Sequence, residues 1–441
     1  MNAIISWSFT LLGVISIVLL VQSYRHALRA GQLTLAAGIA MAAVILPNLT
    51  TAVAAFTGER VESVDAFFNL IVQYGGMSQQ VNNVAMPVLA LVLAIALLIR
   101  LRVTKRVNVA PAIYAGILLL GGIFGLVQGY TPTGGQLTLF LLVLVAIVLP
   151  RDNSVVVGAG LALGGLASVS LIAAGIRPET ALQACDDRKC GAFGSLFVGI
   201  ADNQNSFGLL MALAVPVVFL GLDRFRTYFA VLVTLLALAS GSRTSQVAAL
   251  IVLVLCIWLG GRKGAISNLP RVVTIVVAGF SGLLMVVVPL LPLPATALTG
   301  RAELWRLAFD MIVSNSGNGF GPSVWRDLAR YGTIPRAAGY ATHNQAVEFI
   351  FVAGIFGGIL ALILFMVLVR ENGGSVAQLA LMITPVFICG IAERPWSLGT
   401  LDWMSWSILV TLIASFLPSD VSTPGKRSLR SAQNRSKSPR M

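Results

Sequence analysis

A succession of long apolar runs limits the possible folds of this chain more than any other feature. Each run holds close to 18 or more residues, the length with which an α-helix crosses the hydrocarbon layer of a membrane. About thirteen such runs lie near residues 4–24, 32–56, 84–101, 109–128, 134–150, 154–176, 205–222, 226–241, 244–260, 272–293, 344–369, 376–392 and 399–417. The runs near 134–150 and 226–241 are short, and one of them is a candidate re-entrant segment. The chain is therefore predicted to be an all-α polytopic membrane protein with about 12–13 transmembrane helices.

The composition agrees with a membrane protein. Hydrophobic residues make up 57% of the chain and charged residues only 11%, against about 25% charged residues in soluble domains. The first apolar run has neither a basic segment before it nor a small-residue cleavage site after it, so we expect it to remain as a membrane helix.

The positive charges favour one orientation in the membrane. With the loops assigned alternately to two sides, one side holds 19 Lys and Arg against 4 Asp and Glu, and the other holds 11 against 13. Basic loops face the cytoplasm, so residues 294–343 and the N-terminus are predicted to face outward. The net charge of +13 is then a consequence of topology and does not indicate a nucleic-acid partner.

The outward segment 294–343 is rich in arginine. At about fifty residues it is long for a compact protein, and long loops are usually functional or disordered. Its aromatic side chains give it apolar surface to bury, which argues against disorder. We predict that this long extracytoplasmic loop is a lid and half of an active site. Its arginines are Arg301, Arg306, Arg326, Arg330 and Arg336.

Arginine is the preferred cation at the predicted outer face. Ten of the eleven basic residues assigned there are arginines, and a guanidinium binds phosphate oxygens through two hydrogen bonds. Arg243, in a tight turn between two apolar runs, is a candidate phosphate anchor; the alternative is that it extends toward lipid phosphate. Asn205, in an Asn-rich turn that opens a helix, indicates either an anion site or an ordinary helix cap. Pairing of the arginines with outer acids also remains open.

Two further features belong to the predicted outer face. Cys185 and Cys190 are five residues apart, a spacing that permits a small disulfide loop in an oxidising compartment. Glu348 lies inside an apolar run, where an acid is costly and usually faces a cavity. It follows His343 by five residues, an offset of about 140° on a helix, so the two side chains need not meet.

Three motifs occur in order along residues 185–400, between apolar runs. They are Ala239-Ser240-Gly241-Ser242-Arg243-Thr244, then Gly300-Arg301-Ala302-Glu303-Leu304-Trp305 with Gly317-Asn318-Gly319-Phe320-Gly321, then His343-Asn344-Gln345 followed by Gly354 and Gly357. Together they resemble the O-antigen ligase and O-antigen polymerase superfamily.

The resemblance implies a GT-C type glycosyltransferase of the bacterial inner membrane, with its active site on the periplasmic face. Such an enzyme transfers a glycan from undecaprenyl pyrophosphate to an acceptor sugar, which is the lipid A core in ligases and another lipid-linked repeat in polymerases. The family's histidine corresponds to His343, its arginines to Arg243 and Arg301, and a further outer arginine to Arg188. The family works without a metal or other cofactor. The cysteine pair is a departure from the family pattern.

The chemistry expected of these residues agrees with that reaction. A sugar pyrophosphate is already activated, so the enzyme needs a base for the incoming hydroxyl group and positive charge for the leaving group. Histidine suits the first task and arginine the second, and a one-step attack inverts the anomeric carbon. Further candidates for substrate binding are Asn205, Asn344, Glu348, Trp305 and Tyr340.

The chain is predicted to divide into three parts. Residues 1–176 form a transmembrane scaffold, residues 177–417 form the catalytic half with loop 294–343, and residues 418–441 form a disordered basic tail in the cytoplasm. Ligase and polymerase both fit the motifs. A transporter of lipid-linked polysaccharide fits less well, because transporters place their essential charges near the middle of the membrane. The expected partners are the lipid-linked donor, a glycolipid or glycan acceptor and membrane lipids.

Overall fold

The computed structural model describes residues 3–64, 70–104, 106–185, 190–191, 194–260, 268–330 and 342–415. In these ranges the chain forms sixteen α-helices. They are α1 (Ala3–Arg29), α2 (Leu35–Thr57), α3 (Gly76–Val103), α4 (Val109–Val127), α5 (Gly134–Val148), α6 (Ser154–Ile176), α7 (Pro178–Ala181), α8 (Gln204–Gly221), α9 (Arg226–Ala239), α10 (Arg243–Gly260), α11 (Asn268–Val287), α12 (Ala297–Ser314), α13 (Val324–Arg330), α14 (Gln345–Asn372), α15 (Val376–Gly390) and α16 (Ser405–Ile413).

Within the described part of the chain, two small antiparallel ribbons accompany the helices. Strand β1 (Arg60–Val64) pairs with β2 (Leu70–Tyr74), and β3 (Leu182–Gln183) pairs with β4 (Leu196–Phe197). Both ribbons lie in connections between helices, so the protein is an all-α polytopic membrane protein, as predicted.

Nine of the helices in the described ranges are long and apolar enough to span a membrane. Three shorter apolar helices, α5, α9 and α15, join them. The last predicted run, near 399–417, differs from the structure at its start: residues 399–404 are not helical, and α16 begins only at Ser405. A turn precedes this boundary, in which the Asp402 carboxylate accepts hydrogen bonds from the Met404 N–H and the Ser405 hydroxyl group.

Helix α6 forms the centre of the bundle. It is buried along most of its length and packs against α1, α2 and α8, whereas α1 leaves most of its surface exposed. The sequence of α6 is rich in glycine, alanine and serine, and small residues let membrane helices approach closely. The outward surface of α1 is apolar, as expected for a helix that faces lipid.

Segment 294–343 has secondary structure of its own, which corrects its description as a loop. Helices α12 and α13 occupy much of it; residues 331–341 lie outside the described ranges. Three successive left-handed residues, Leu298, Thr299 and Gly300, break α12 near its start (φ 51°, 62° and 89°). Left-handed backbone costs a residue other than glycine about 1–2 kcal/mol. The break sets the direction in which the regular part of the helix leaves Arg301.

Helix α14 is also broken, and the chain after α12 provides hydrogen-bond partners for the backbone at the break. Gly354 has φ 69° and ψ −175°, so the helical hydrogen bonds around it are interrupted. The N–H groups of Phe320 and Gly321 donate to the carbonyl groups of Phe351 (2.8 Å) and Val352 (3.0 Å). The Ile355 N–H donates to the carbonyl group of Gly317 (2.9 Å). These bonds supply partners that a membrane interior cannot offer.

Candidate active site

The start of α14 is fixed by the two residues that follow His343. The buried Asn344 caps the helix through the Val347 N–H (3.0 Å), and its amide nitrogen donates to the carbonyl groups of Met285 and Ile391, both at 3.0 Å. The buried Gln345 side chain makes two hydrogen bonds to the backbone of Trp396. These bonds tie α14 to the end of α11 and to the chain that follows α15. The expectation that Asn344 contacts substrate is therefore revised to a positioning role.

His343 lies just before this anchored turn and presents its ring to a cavity. Its backbone is left-handed, with φ 52°, and its side chain is 25% exposed. A residue other than glycine in this conformation persists only where the surrounding structure holds it. Here the neighbouring buried residues Thr342 and Asn344 supply that support.

Glu393 connects His343 to Arg301. Its Oε2 lies 3.1 Å from Nδ1 of His343, and its Oε1 accepts a hydrogen bond from Nη2 of Arg301 at 2.5 Å. The three side chains are partly buried, with exposed fractions of 25%, 20% and 18% for His343, Arg301 and Glu393. We call these three residues the His343 cluster. It joins the start of α14, the first regular turn of α12 and the end of α15.

Glu393 was absent from the residues predicted for the site. The sequence contains a sign of it, because Glu393 and Arg394 follow an apolar run at the face predicted to hold His343. Fifty residues separate Glu393 from His343, however, and the contact arises only when the ends of α14 and α15 pack together.

Glu348 and Trp305 are buried beneath the cluster. The Glu348 carboxylate accepts hydrogen bonds from the Thr342 hydroxyl group (2.9 Å) and from Arg394 (3.1 Å), and its side chain is 4% exposed. The Trp305 indole N–H donates to the Thr342 carbonyl group at 3.0 Å. Both side chains therefore hold the backbone next to His343, and the expectation that they contact substrate is revised.

A cavity of about 230 Å³ opens beside the ring of His343. Its polar wall includes Asn205, Ser206, His343, Glu393, Arg394 and Asp402, and Trp403 lies next to them. Burial raises the pKa of the Asp402 carboxyl group, and the Met404 N–H and the charge of Arg394 oppose that shift. Of the described residues predicted for substrate binding, Asn205 is the one that the structure brings to the cavity wall.

Arg243 opens α10 at the same end of the bundle, with an exposed side chain. The turn before it packs on α8: a Cβ added at Gly208 would lie 2.3 Å from the Ser240 hydroxyl oxygen. Asn205 is one helical turn away from Gly208 on α8. The structure therefore brings Arg243 to the neighbourhood of the cavity.

The cysteine pair lies against the same turn. Cys185 and Cys190 are joined in a disulfide with their Cα atoms 4.7 Å apart, and the backbone of Cys190 packs on Gly241. Arg188, within that disulfide loop, and Tyr340, before His343, lie outside the described residues. Their predicted roles stay predictions.

Metal independence also stays a prediction. Within the described ranges, His, Cys, Asp and Glu form no group of three or more that is suited to hold a metal ion.

A family model matches part of this chain. Residues 228–362 match the family model described as O-antigen ligase, a range that contains Arg243, Arg301 and His343. No curated protein and no solved structure matches the chain. The matched range covers the three predicted motifs, from the turn before α10 to the part of α14 beyond Gly354. The predicted resemblance to the O-antigen ligase and polymerase superfamily is thereby confirmed over residues 228–362, which are similar to an O-antigen ligase domain.

Proposed function

We propose that the protein is an inverting membrane glycosyltransferase of GT-C type. It transfers a glycan from undecaprenyl pyrophosphate to an acceptor sugar at the periplasmic face of the bacterial inner membrane. The observation that carries this proposal is the His343 cluster, in which a carboxylate at the wall of a cavity binds both a histidine and an arginine. The cluster supplies a base and a cation within one small site, as the reaction requires.

His343 is the general base of the proposed reaction. With Nδ1 bound to the Glu393 carboxylate, Nε2 is the nitrogen that accepts the proton of the acceptor hydroxyl group. Glu393 also orients the ring and stabilises the positive charge that His343 gains, as the acid does in a catalytic triad. Base catalysis of this kind contributes about 10²–10⁴-fold.

Arg301 and Arg243 stabilise the leaving pyrophosphate. One Nη of Arg301 is bound to Glu393, and a guanidinium has five N–H donors, so further donors remain for phosphate oxygens. In the reaction the hydroxyl oxygen forms a bond to the anomeric carbon while the bond from that carbon to the pyrophosphate oxygen breaks. The hydroxyl proton moves to His343 and then to solvent, and the electron pair leaves with undecaprenyl pyrophosphate. This one-step displacement inverts the anomeric carbon without a metal.

Two acceptors are consistent with the proposal, and the envelope glycans of a gene deletion distinguish them. A ligase acting on the lipid A core leaves finished polymer on the lipid carrier when it is lost. A polymerase leaves single repeats. Unchanged envelope glycans, with no lipid-linked intermediate accumulating, would contradict the proposed function.

A transfer assay with purified protein tests the proposed reaction directly and complements the gene deletion. The proposal predicts transfer from an undecaprenyl-pyrophosphate-linked glycan that continues in the presence of a strong chelator. Loss of transfer on chelation, with recovery on adding a divalent metal, would contradict the metal-independent mechanism.

A further inference from the structure

The charges around the cavity beside His343 are already paired. Glu393 is bound to Arg301, and Arg394 is bound to the buried Glu348 at 3.1 Å. Asp402 adds another carboxyl group to the wall. Pyrophosphate binding needs more cationic than anionic side chains, because its oxygens bind most strongly to charged donors. The balance of charge in this cavity favours a neutral, hydroxyl-rich ligand.

Trp403 also lines the cavity. It is only partly buried, whereas Trp305, Trp396 and Trp406 are fully buried in the core. Its carbonyl oxygen lies 3.5 Å from the Asn48 amide nitrogen on α2, a long hydrogen bond that links its backbone to the bundle. An aromatic ring flanked by a few polar groups is the usual composition of a site for a ligand with one apolar face and polar edges. A sugar ring has that character.

The polar groups beside Trp403 suit the hydroxyl groups of a sugar. Asn205 and Ser206 come from the first turn of α8, and Asp402 is held in place by hydrogen bonds from the Met404 N–H (2.9 Å) and the Ser405 hydroxyl group (3.0 Å). At about 230 Å³ the cavity is smaller than the range of about 300–1,000 Å³ that is typical of drug-sized ligands. It suits one sugar residue rather than a long glycan segment.

We propose that this cavity is the acceptor-sugar site, with Trp403 as the surface on which the acceptor ring stacks, and that the donor pyrophosphate binds on the Arg301 side of Glu393. The assignment rests on the proposed function and adds the direction in which the two substrates approach. The acceptor hydroxyl group then reaches His343 from the cavity, and the leaving group departs toward Arg301.

Two binding measurements on the purified full-length protein test the assignment. The probes are undecaprenyl pyrophosphate for the donor side and core oligosaccharide, released by mild acid from the source organism's own envelope, for the acceptor side. Trp403→Ala should weaken oligosaccharide binding at least tenfold and change undecaprenyl pyrophosphate binding less than twofold. Trp403→Phe should lose less, because it keeps a flat ring. Arg301→Ala should show the opposite selectivity.

The matched control is Trp7→Ala. Trp7 is 73% exposed on α1, away from the cavity, and its removal should change neither affinity. The assignment is overturned if Trp403→Ala weakens binding of undecaprenyl pyrophosphate as much as binding of oligosaccharide, if it weakens neither, or if wild-type protein binds neither this oligosaccharide nor the glycan repeat that a polymerase would accept.

Transfer kinetics separate a failure of this assignment from a failure of the proposed function. If wild-type protein transfers glycan and Trp403→Phe and Asp402→Asn leave the acceptor KM unchanged, the site assignment alone is wrong. If wild-type protein binds both probes selectively but transfers nothing, the proposed reaction is wrong and the two sites stand. The expected result is transfer by wild type, with an acceptor KM raised several-fold in both variants and a donor KM within twofold of wild type.

Discussion

Two neighbouring regions of the molecule are held together by different interactions. In the His343 cluster, polar side chains from three distant parts of the chain meet beside a cavity, and each remains 18–25% exposed. Around the break in α14, the backbone of residues 317–321 meets the backbone of residues 351–355, and the glycines allow the two to approach. A Cβ added at Gly319 would lie 2.4 Å from the Val352 carbonyl oxygen.

The difference shows that one motif can contain both residues of the proposed active site and residues that hold the backbone in place. In His343-Asn344-Gln345, the first side chain faces the cavity and the next two are buried and bound to backbone groups. In the second motif, Arg301 belongs to the His343 cluster, while Gly319 and Gly321 belong to the backbone segment that packs at the break in α14. Changes in the first region should affect turnover, and changes in the second should affect folding.

A large effect is expected from Arg301→Ala. The change removes a proposed pyrophosphate ligand and also leaves Glu393 without its guanidinium partner, so donor binding and transfer should both fall, transfer by about 10²–10³-fold. Lysine should rescue only part of the loss because it cannot bind through two parallel hydrogen bonds. Arg306→Ala, an exposed position on the same helix, is the control and should be near neutral. Full activity in Arg301→Ala would remove Arg301 from the site.

A smaller effect is expected from Glu393→Gln. The amide keeps the shape of the side chain but loses the charge that orients and stabilises protonated His343, so kcat should fall about 10–100-fold, the range typical of residues that orient a ligand or base. Donor binding should change little. Glu348→Gln is the comparison: it should lower thermal stability, because Glu348 is buried and bound to Arg394. Equal kcat in wild type and Glu393→Gln would show that His343 does not depend on this carboxylate.

Gly321→Ala tests the other region. Gly321 has φ 79°, and an added Cβ would lie 2.4 Å from the Cα of Gly125 on α4. Left-handed strain alone costs of order 1–3 kcal/mol, so the temperature of unfolding in detergent should fall while activity per folded molecule stays within about twofold. Gly122→Ala on α4, where no atom lies within 4 Å of the added Cβ, should be as stable as wild type. A Gly321→Ala protein that is stable but inactive would show that this region takes part in the reaction.

The smallest effect is expected from Cys185→Ser. The disulfide closes a loop between residues only five apart, and short loops gain little from closure. Stability and transfer should therefore drop only slightly. Mass spectrometry of protein prepared without reductant should find no free thiol at Cys185 or Cys190, and free thiols at both would contradict the disulfide.

The fold class could be predicted because the length of an apolar run is visible in the sequence and does not depend on contacts between distant residues. In the described ranges nine of the apolar runs became helices long enough to cross a membrane, and Arg301 and His343 were identified before their shared contact with Glu393 was known. Glu393 could not be paired with His343 from the sequence, since the contact depends on how α14 and α15 pack. Helix α12 within 294–343 carries apolar residues at helical spacing, among them Trp305, Ala308 and Ile312, but it is more polar than a membrane span, so a search for spans missed it. Asn344 and Glu348 were assigned to substrate because burial is not visible in a motif.

The most direct test of the account measures donor binding and transfer together in His343→Ala. The account predicts that the variant binds undecaprenyl pyrophosphate within about twofold of wild type and transfers glycan about 10²–10⁴-fold more slowly, because a base acts mainly in the transition state. Its unfolding temperature should match that of His26→Ala, the control at the other histidine, which should remain active. A folded His343→Ala protein that transfers glycan at the wild-type rate would contradict the account.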